Sequence, residues 1–164
     1  MATSLFKVTF PLTPEAVCSH PVLGFYAAYG QAFPKTPEEW KTVPFEDWYS
    51  ADCQTIQVNG TVIDGGEQSW DFFRRLYASF PKVEREVLSF IVEEDETNQV
   101  YKLHATFTTK LFADEGRRIV EVPQSFIYTL GKADPGKGTQ GLQFRELRNY
   151  YDMGTLESAF AKSS

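Results

Sequence analysis

Long strand-like segments dominate the second half of the chain and constrain its fold more than any other feature. Four segments are rich in β-branched and aromatic residues: REVLSFIVEE, VYKLHATFTTKLFA, RIVEVPQSFIYTL and LQFRELRNYYD. Polar or glycine-rich turns separate them. Three of the four exceed ten residues, and antiparallel strands of that length coil strongly. The sheet is therefore predicted to have a concave face into which helices pack.

The first half carries the helices for that face. Apolar residues follow helical spacing from Pro21 to Phe33, and Pro21 suits a first turn. In TPEE, Thr36 can cap a second helix with Glu39 three positions later, as in a capping box. The segment GGEQSWDFFRRLYASFP places its apolar residues on one stripe and predicts a third helix that ends before Pro81.

Turn and cap signals complete the pattern. In CQTIQVNGTVID, Asn59-Gly60 predicts a β-hairpin with a tight primed turn. Asp152 precedes MGTLESAF and is predicted to cap a short C-terminal helix. We expect residues 1–19 to form an extended arm, since prolines forbid a long helix there. Residues 20–164 then form one α+β domain, a cone-shaped, strongly curved antiparallel sheet with three to four helices on its concave face.

Charge and composition limit the classes of partner that the chain can be expected to bind. Sixteen basic residues oppose 22 acidic ones, giving a net charge of −6. No basic cluster offers the footprint that nucleic acid needs, so no nucleic-acid partner is expected. No apolar run approaches the length of a membrane span, and the N-terminus lacks a signal-peptide pattern, so we expect a cytoplasmic protein. Two histidines and two cysteines at no ligand-like spacing predict no metal site.

Four segments resemble the nuclear transport factor 2-like superfamily, and within it the SnoaL-like proteins. They are FYAAYGQAF, FEDWYSADCQTI, GGEQSWDFFRRLYASFP and RELRNYYD, and the resemblance spans about Pro21 to Ala161. It implies a cone whose open end holds a mostly apolar pocket. It also implies cofactor-free proton-transfer chemistry, namely isomerisation, cyclisation or dehydration of a hydrophobic small molecule, in secondary metabolism. A non-catalytic binding or dimerisation module of the same fold is the alternative.

The ending RNYYD is similar to that of limonene epoxide hydrolase relatives, in which an acid stands where this chain has Asn149. The neighbouring strand reads LHAT where those enzymes would show Arg-x-Asp. Epoxide opening by that route is therefore not expected. Asn149 remains a candidate for orienting a substrate or stabilising an oxyanion, with Tyr151 on the same strand face.

His104 and Glu121 are the acid–base candidates. His104 lies mid-strand, and alternation puts it on one face with Lys102, Thr106 and Thr108. If that face lines the cone, the imidazole can shuttle protons near neutral pH, and if it faces water, His104 is a surface residue. Glu121 lies between two valines and is either a carboxylate of raised pKa or a solvated outward side chain.

Aromatic and amide side chains supply the predicted substrate-binding set, because the helices should direct rings toward the sheet and a few polar groups fix ligand orientation. The set is Tyr26, Trp48, Gln57, Trp70, Tyr77, Thr106, Gln124, Phe126 and Tyr151. The expected partner is a hydrophobic small molecule, and a homodimer through the outer face of the sheet is expected with either function.

Overall fold

A computed structural model describes residues 3–8, 10–95 and 97–161. Four helices are present in this part: α1 (Pro14–Ser19), α2 (Pro21–Ala32), α3 (Gly66–Tyr77) and α4 (Met153–Phe160). The seven strands are β1 (Thr3–Val8), β2 (Tyr49–Ile56), β3 (Val62–Asp64), β4 (Val83–Asp95), β5 (Val100–Ala113), β6 (Arg118–Lys132) and β7 (Leu142–Tyr151). The predicted α+β architecture, with its four long C-terminal strands, is confirmed.

The strands form one curled sheet in the order β1-β4-β5-β6-β7-β2-β3. Neighbours are antiparallel with one exception: β2 and β7 run parallel. The predicted all-antiparallel sheet is therefore corrected to a mixed one. The parallel pair arises because the last strand of the C-terminal meander lies beside the first strand of the early hairpin.

A bulge bends β4. Val87 pairs with Phe107 and Ser89 with Thr106, which leaves Leu88 as an extra residue. The extra residue keeps Val87 and Phe90 on the same face although they are three positions apart. Phe90 is fully buried and Leu88 is exposed, so the bulge keeps apolar side chains on the inner face in both halves of the strand.

Aromatic residues fill the space between the sheet and α2. The Phe25 ring of α2 meets Phe144 of β7 edge-on at 5.0 Å, and the Tyr26 ring meets Phe90 of β4 at 4.6 Å. Edge-to-face contacts of this kind add to the free energy gained from burying the rings. Helix α2 thus lies across the inner face of the sheet, as predicted.

The arm forms regular structure. Strand β1 pairs with β4 along the sheet edge, and α1 begins at Pro14 with Thr13 as its cap. The boundary at residue 20 stays a prediction, since no observation tests it. Residues 1–2, 9, 96 and 162–164 of the predicted arm and domain lie outside the described residues.

Two local predictions need correction. TPEE yields only a 3₁₀ turn over Glu39–Lys41, because Pro37 and Pro44 confine it to a short stretch. Thr36 Oγ1 accepts a bond from the Glu39 amide at 3.4 Å, but the Glu39 carboxylate bonds the Lys35 amide. The hairpin between β2 and β3 is confirmed, yet only Gly60 has a positive φ, so its turn is not the primed form.

The predicted cap of α4 is confirmed. Asp152 Oδ1 accepts a hydrogen bond from the Thr155 amide at 2.6 Å. This bond to backbone N–H lowers the pKa of the Asp152 carboxyl, because it favours the ionised form. Asp152 therefore acts as the N-cap of α4.

Candidate functional site

A cavity of about 400 Å³ opens between α2 and the start of β4. Its volume falls within the range that proteins use to enclose small molecules. The lining combines aromatic, aliphatic and charged side chains: Tyr26, Tyr29, Gly30, Phe33, Lys35, Val83, Glu84, Arg85 and Val87. Helix α2 supplies one wall and β4 the other.

Arg85 is the unusual member of this lining. It lies between Val83 and Val87 on the inner face of β4, where alternation would favour another apolar residue. Its guanidinium carbon lies 3.9 Å from the centroid of the Phe33 ring, 4.9 Å from that of Phe107 and 5.2 Å from that of Tyr77. The cation is thus held among aromatic faces, which attract it through their ring quadrupoles.

No carboxylate of the described residues forms an ion pair with Arg85. Its Nε atom is buried and meets no hydrogen-bond acceptor there either. Burial of a charge without a paired partner is unfavourable. Arg85 therefore presents unused donors beside an open cavity, and such groups concentrate at functional sites.

Tyrosine hydroxyls surround the cation. Burial raises the pKa of Tyr26 to about 12, while the positive charge of Arg85 acts in the opposite direction. Burial likewise raises the pKa of Tyr29, whose hydroxyl lies 3.4 Å from that of Tyr49. These phenols are therefore neutral at physiological pH and act as hydrogen-bond donors there.

A second polar chain lies deeper in the sheet. Thr109 Oγ1 donates to Gln124 Oε1 at 2.6 Å, and Gln124 Nε2 donates to the Tyr77 hydroxyl at 3.4 Å. All three residues are buried. Since the Tyr77 ring also faces Arg85, this chain holds one wall of the aromatic cage in place.

His104 and Glu121 lie away from the cavity. Both residues are on the outer face of the sheet, opposite the buried Leu103 and Val122. His104 Nε2 lies 2.9 Å from Glu93 Oε1, and the Glu121 side chain is 62% exposed and 3.9 Å from Lys110 Nζ. The polar face of β5 therefore does not line the cone, and neither residue reaches the cavity. Thr106 shares this outer face and is exposed.

Asn149 lies on the inner face of β7 but not on the cavity wall. It is 1% exposed on the inner face of β7, and its Oδ1 atom has no hydrogen-bond partner in the described structure. Tyr151, two positions on, is half-buried and pairs in register with Gln124.

Of the predicted substrate-binding residues, Tyr26 alone lines this cavity. Trp48 and Trp70 are buried against other rings, Trp48 against Phe25 and Trp70 against Tyr49. Gln57 lies in the hairpin turn, where its backbone N–H donates to the backbone carbonyl of Thr61. The other buried candidates are Tyr77, Gln124 and Phe126, which lie behind Arg85 or in its cage.

Sequence reasoning did not single out Arg85, although a signal exists. The segment VEREV has a valine at each end, an arginine in the middle and a glutamate on either side of the arginine. The strand period places Arg85 with Val83 and Val87, and the glutamates opposite. A lone arginine on the apolar face of a strand is the pattern that points to this site.

No group of three or more His, Cys, Asp or Glu side chains in the described part of the chain is arranged to hold a metal ion. No helix within the described ranges has the length and apolar character that a membrane crossing requires.

Solved structures share this architecture. Aln2 from a Streptomyces species is 17% identical with a TM-score of 0.59, and the match covers 90% of this chain and 98% of that one. The chain has the nuclear transport factor 2-like fold. A putative SnoaL-like polyketide cyclase from a Jannaschia species is 19% identical with a TM-score of 0.52, covering 94% and 99% of the two chains.

A third similar structure is the S. rosetta CaMKII hub, 11% identical with a TM-score of 0.55, covering 87% of this chain and 99% of that one. No protein-family model matches the sequence, and no curated protein matches it in sequence. The nuclear transport factor 2-like fold of this chain is thus established by shape, and the similar structures that share it include putative SnoaL-like polyketide cyclases.

Proposed function

We propose that the cavity between α2 and β4 binds a hydrophobic small molecule. The observation that supports this most is the cavity itself: about 400 Å³ with a mainly aromatic and aliphatic wall and a few polar groups at one place. Apolar walls supply affinity, and the polar groups orient the ligand. Two of the similar structures are putative SnoaL-like polyketide cyclases, which is compatible with such a ligand.

Gly30 provides the test. It lines the cavity mouth on α2, and a Cβ added there would meet no atom within 4 Å. Gly30→Phe should therefore fold and fill the mouth, while Gly30→Ala leaves it open. With 2-naphthamide as a neutral probe, calorimetry should show binding to the wild type and to Gly30→Ala, and at least about tenfold weaker binding to Gly30→Phe, since the ring occupies probe volume. Equal affinity in all three proteins would refute the cavity as the site.

Proton-transfer catalysis on the bound molecule, as in isomerisation, cyclisation or dehydration, is the second candidate. The arrangement of Arg85 with the neutral hydroxyls of Tyr26 and Tyr29 favours it, because these groups can stabilise the oxyanion that forms when a ketone enolises. Glu84 is the carboxylate at the cavity mouth that can take up the proton.

Exchange of the α-protons of 2-tetralone in D₂O, followed by NMR, tests this second candidate. The wild type should accelerate exchange over buffer, and Gly30→Phe should abolish the acceleration. A Glu84→Gln variant should lose about a hundredfold of any acceleration if Glu84 is the base. Exchange at the buffer rate with all proteins, together with binding of 2-naphthamide, would leave the non-catalytic binding module as the function.

We also infer a homodimer through the outer face of the sheet. Leu88, Ile91, Ile119 and Tyr150 are large apolar residues exposed on that face. Light scattering should report a dimer, and Ile91→Lys should dissociate it, while Val58→Lys in the hairpin should not. A monomeric wild type would refute the dimer without affecting the cavity.

A further inference from the structure

Arg85 carries a charge that the described protein does not neutralise. The neighbouring carboxylates have other partners: Glu84 pairs with Lys82, and Glu86 pairs with Lys110 at 3.3 Å. The Glu86 side chain leaves toward the other face of β4, whereas Glu84 lines the cavity but is held by Lys82. The cation therefore remains free for a partner that enters from the cavity.

The aromatic contacts of Arg85 bear on which of its atoms are available. A guanidinium is planar, with its five N–H donors pointing outward in that plane. Its central carbon lies 3.9 Å from the centroid of the Phe33 ring, and the Phe107 and Tyr77 rings also lie near the cation. Ring contacts do not consume N–H donors. The Tyr29 hydroxyl lies within hydrogen-bonding reach of Arg85 and Nε is buried, so the remaining terminal N–H groups of the fork are left for an acceptor with two oxygens.

The local charge favours an anion although the whole chain carries −6. Lys35 adds a second cation at the cavity mouth, and Glu84, the one acid in the lining, is paired with Lys82. An apolar wall with low dielectric strengthens the attraction between an entering anion and these cations. Tyr26 and Tyr29 line the same cavity as Arg85, and their hydroxyls are neutral.

We propose that the ligand of this cavity is a planar organic anion, a carboxylate on an apolar ring system, whose two oxygens bind the edge of the Arg85 guanidinium. This inference rests on the proposed binding function and specifies the class of ligand. The apolar body of the ligand packs against Phe33, Val83 and Val87, and the charged end reaches Arg85.

Two isosteric probes separate this inference from the binding function itself. 2-Naphthoate and 2-naphthamide share a ring system and differ in the charge of the carboxyl-derived group. A charge-assisted, two-point bond to arginine should make the wild type bind 2-naphthoate at least about tenfold more tightly than 2-naphthamide. The wild type alone is sufficient for this comparison, so no variant needs to fold for the result to count.

Variants then assign the preference to Arg85. Arg85→Met keeps an unbranched apolar side chain in the aromatic cage, and should bind both probes with nearly equal affinity. Arg85→Lys keeps the charge but loses the planar fork, so a partial preference should remain. Lys35→Met, at the mouth, should weaken naphthoate binding by less than about threefold because that ammonium is solvated.

Each outcome decides between the two statements. Equal affinity of the wild type for both probes, with loss in Gly30→Phe, keeps the cavity and overturns the anion. A naphthoate preference that survives in Arg85→Met also overturns the assignment to Arg85. Failure of both probes to bind at millimolar concentration overturns the cavity, and with it the anion.

Discussion

The guanidinium carbon of Arg85 lies over the ring of Phe33, 3.9 Å from its centroid, and no carboxylate of the described residues is paired with the cation. Phe33 follows the last residue of α2, and Arg85 lies near the start of β4. The contact therefore joins the two walls of the cavity through a cation and an aromatic face.

The first prediction concerns stability at this contact. Replacing a partly buried, unpaired cation by an apolar side chain of similar length removes a desolvation penalty, so Arg85→Met should leave the free energy of unfolding unchanged or raise it by about 1 kcal/mol. Arg118→Met is the matched control. Its guanidinium bonds Asp114 at 2.8 Å and the carbonyls of Ser158 and Ala161, so it should destabilise by about 1–2 kcal/mol. Urea denaturation measures both, and a marked loss in Arg85→Met would contradict the account of the cage.

Two buried threonines give the second prediction. Thr109 Oγ1 donates to Gln124 at 2.6 Å, whereas Thr55 Oγ1 is buried without a partner among the described residues. Both side chains are fully buried. Thr109→Val should destabilise by about 1–3 kcal/mol because it leaves Gln124 Oε1 unsatisfied, while Thr55→Val should be neutral or stabilising. Thermal and urea unfolding of the two variants measure this difference in stability. A larger loss in Thr55→Val than in Thr109→Val would refute the buried network.

The tyrosine cluster gives an alkaline prediction. The folded pKa of Tyr26 is raised to about 12, mainly by burial, above the value of about 10 in an unfolded chain. Its contribution to stability is complete below pH 10 and is lost as the pH rises through 12, by up to about 1.4 kcal/mol per pH unit. Tyr26→Phe should weaken this dependence. Urea unfolding at pH 8, 10 and 11 measures it, with identical slopes in both proteins as the contrary result.

The cap of α4 gives an acid prediction. Because the folded pKa of Asp152 lies below its unfolded value, the ionised cap contributes stability above about pH 4 and loses it as the pH falls through the lowered pKa. Asp152→Asn keeps a capping oxygen without a charge. The melting temperature of the wild type should exceed that of the variant at pH 7, and the difference should shrink below pH 4. A difference that is constant down to pH 2 would exclude the carboxylate charge as the cause.

The sequence supports most of the fold but little of the site. Long strand segments and turn residues such as Gly60 are local signals, and they predicted the long strands and the hairpin correctly, though not the type of its turn. The local sequence does not determine which face of β5 turns inward. His104 faces out because Leu103 and Ala105 are buried in the core. The significance of Arg85 depends on rings from α3, β5 and β6 and on Phe33 just after α2, which meet only in the folded chain.

The parallel pairing of β2 with β7 has a consequence for biosynthesis. Strand β2 leaves the ribosome well before its sheet neighbour β7, and Phe25 of α2 needs Phe144 of that strand for its cover. The aromatic side of α2 therefore stays exposed to water until β7 has been synthesised. Synthesis that stalls before residue 142 would thus release a fragment prone to aggregation and in need of chaperones.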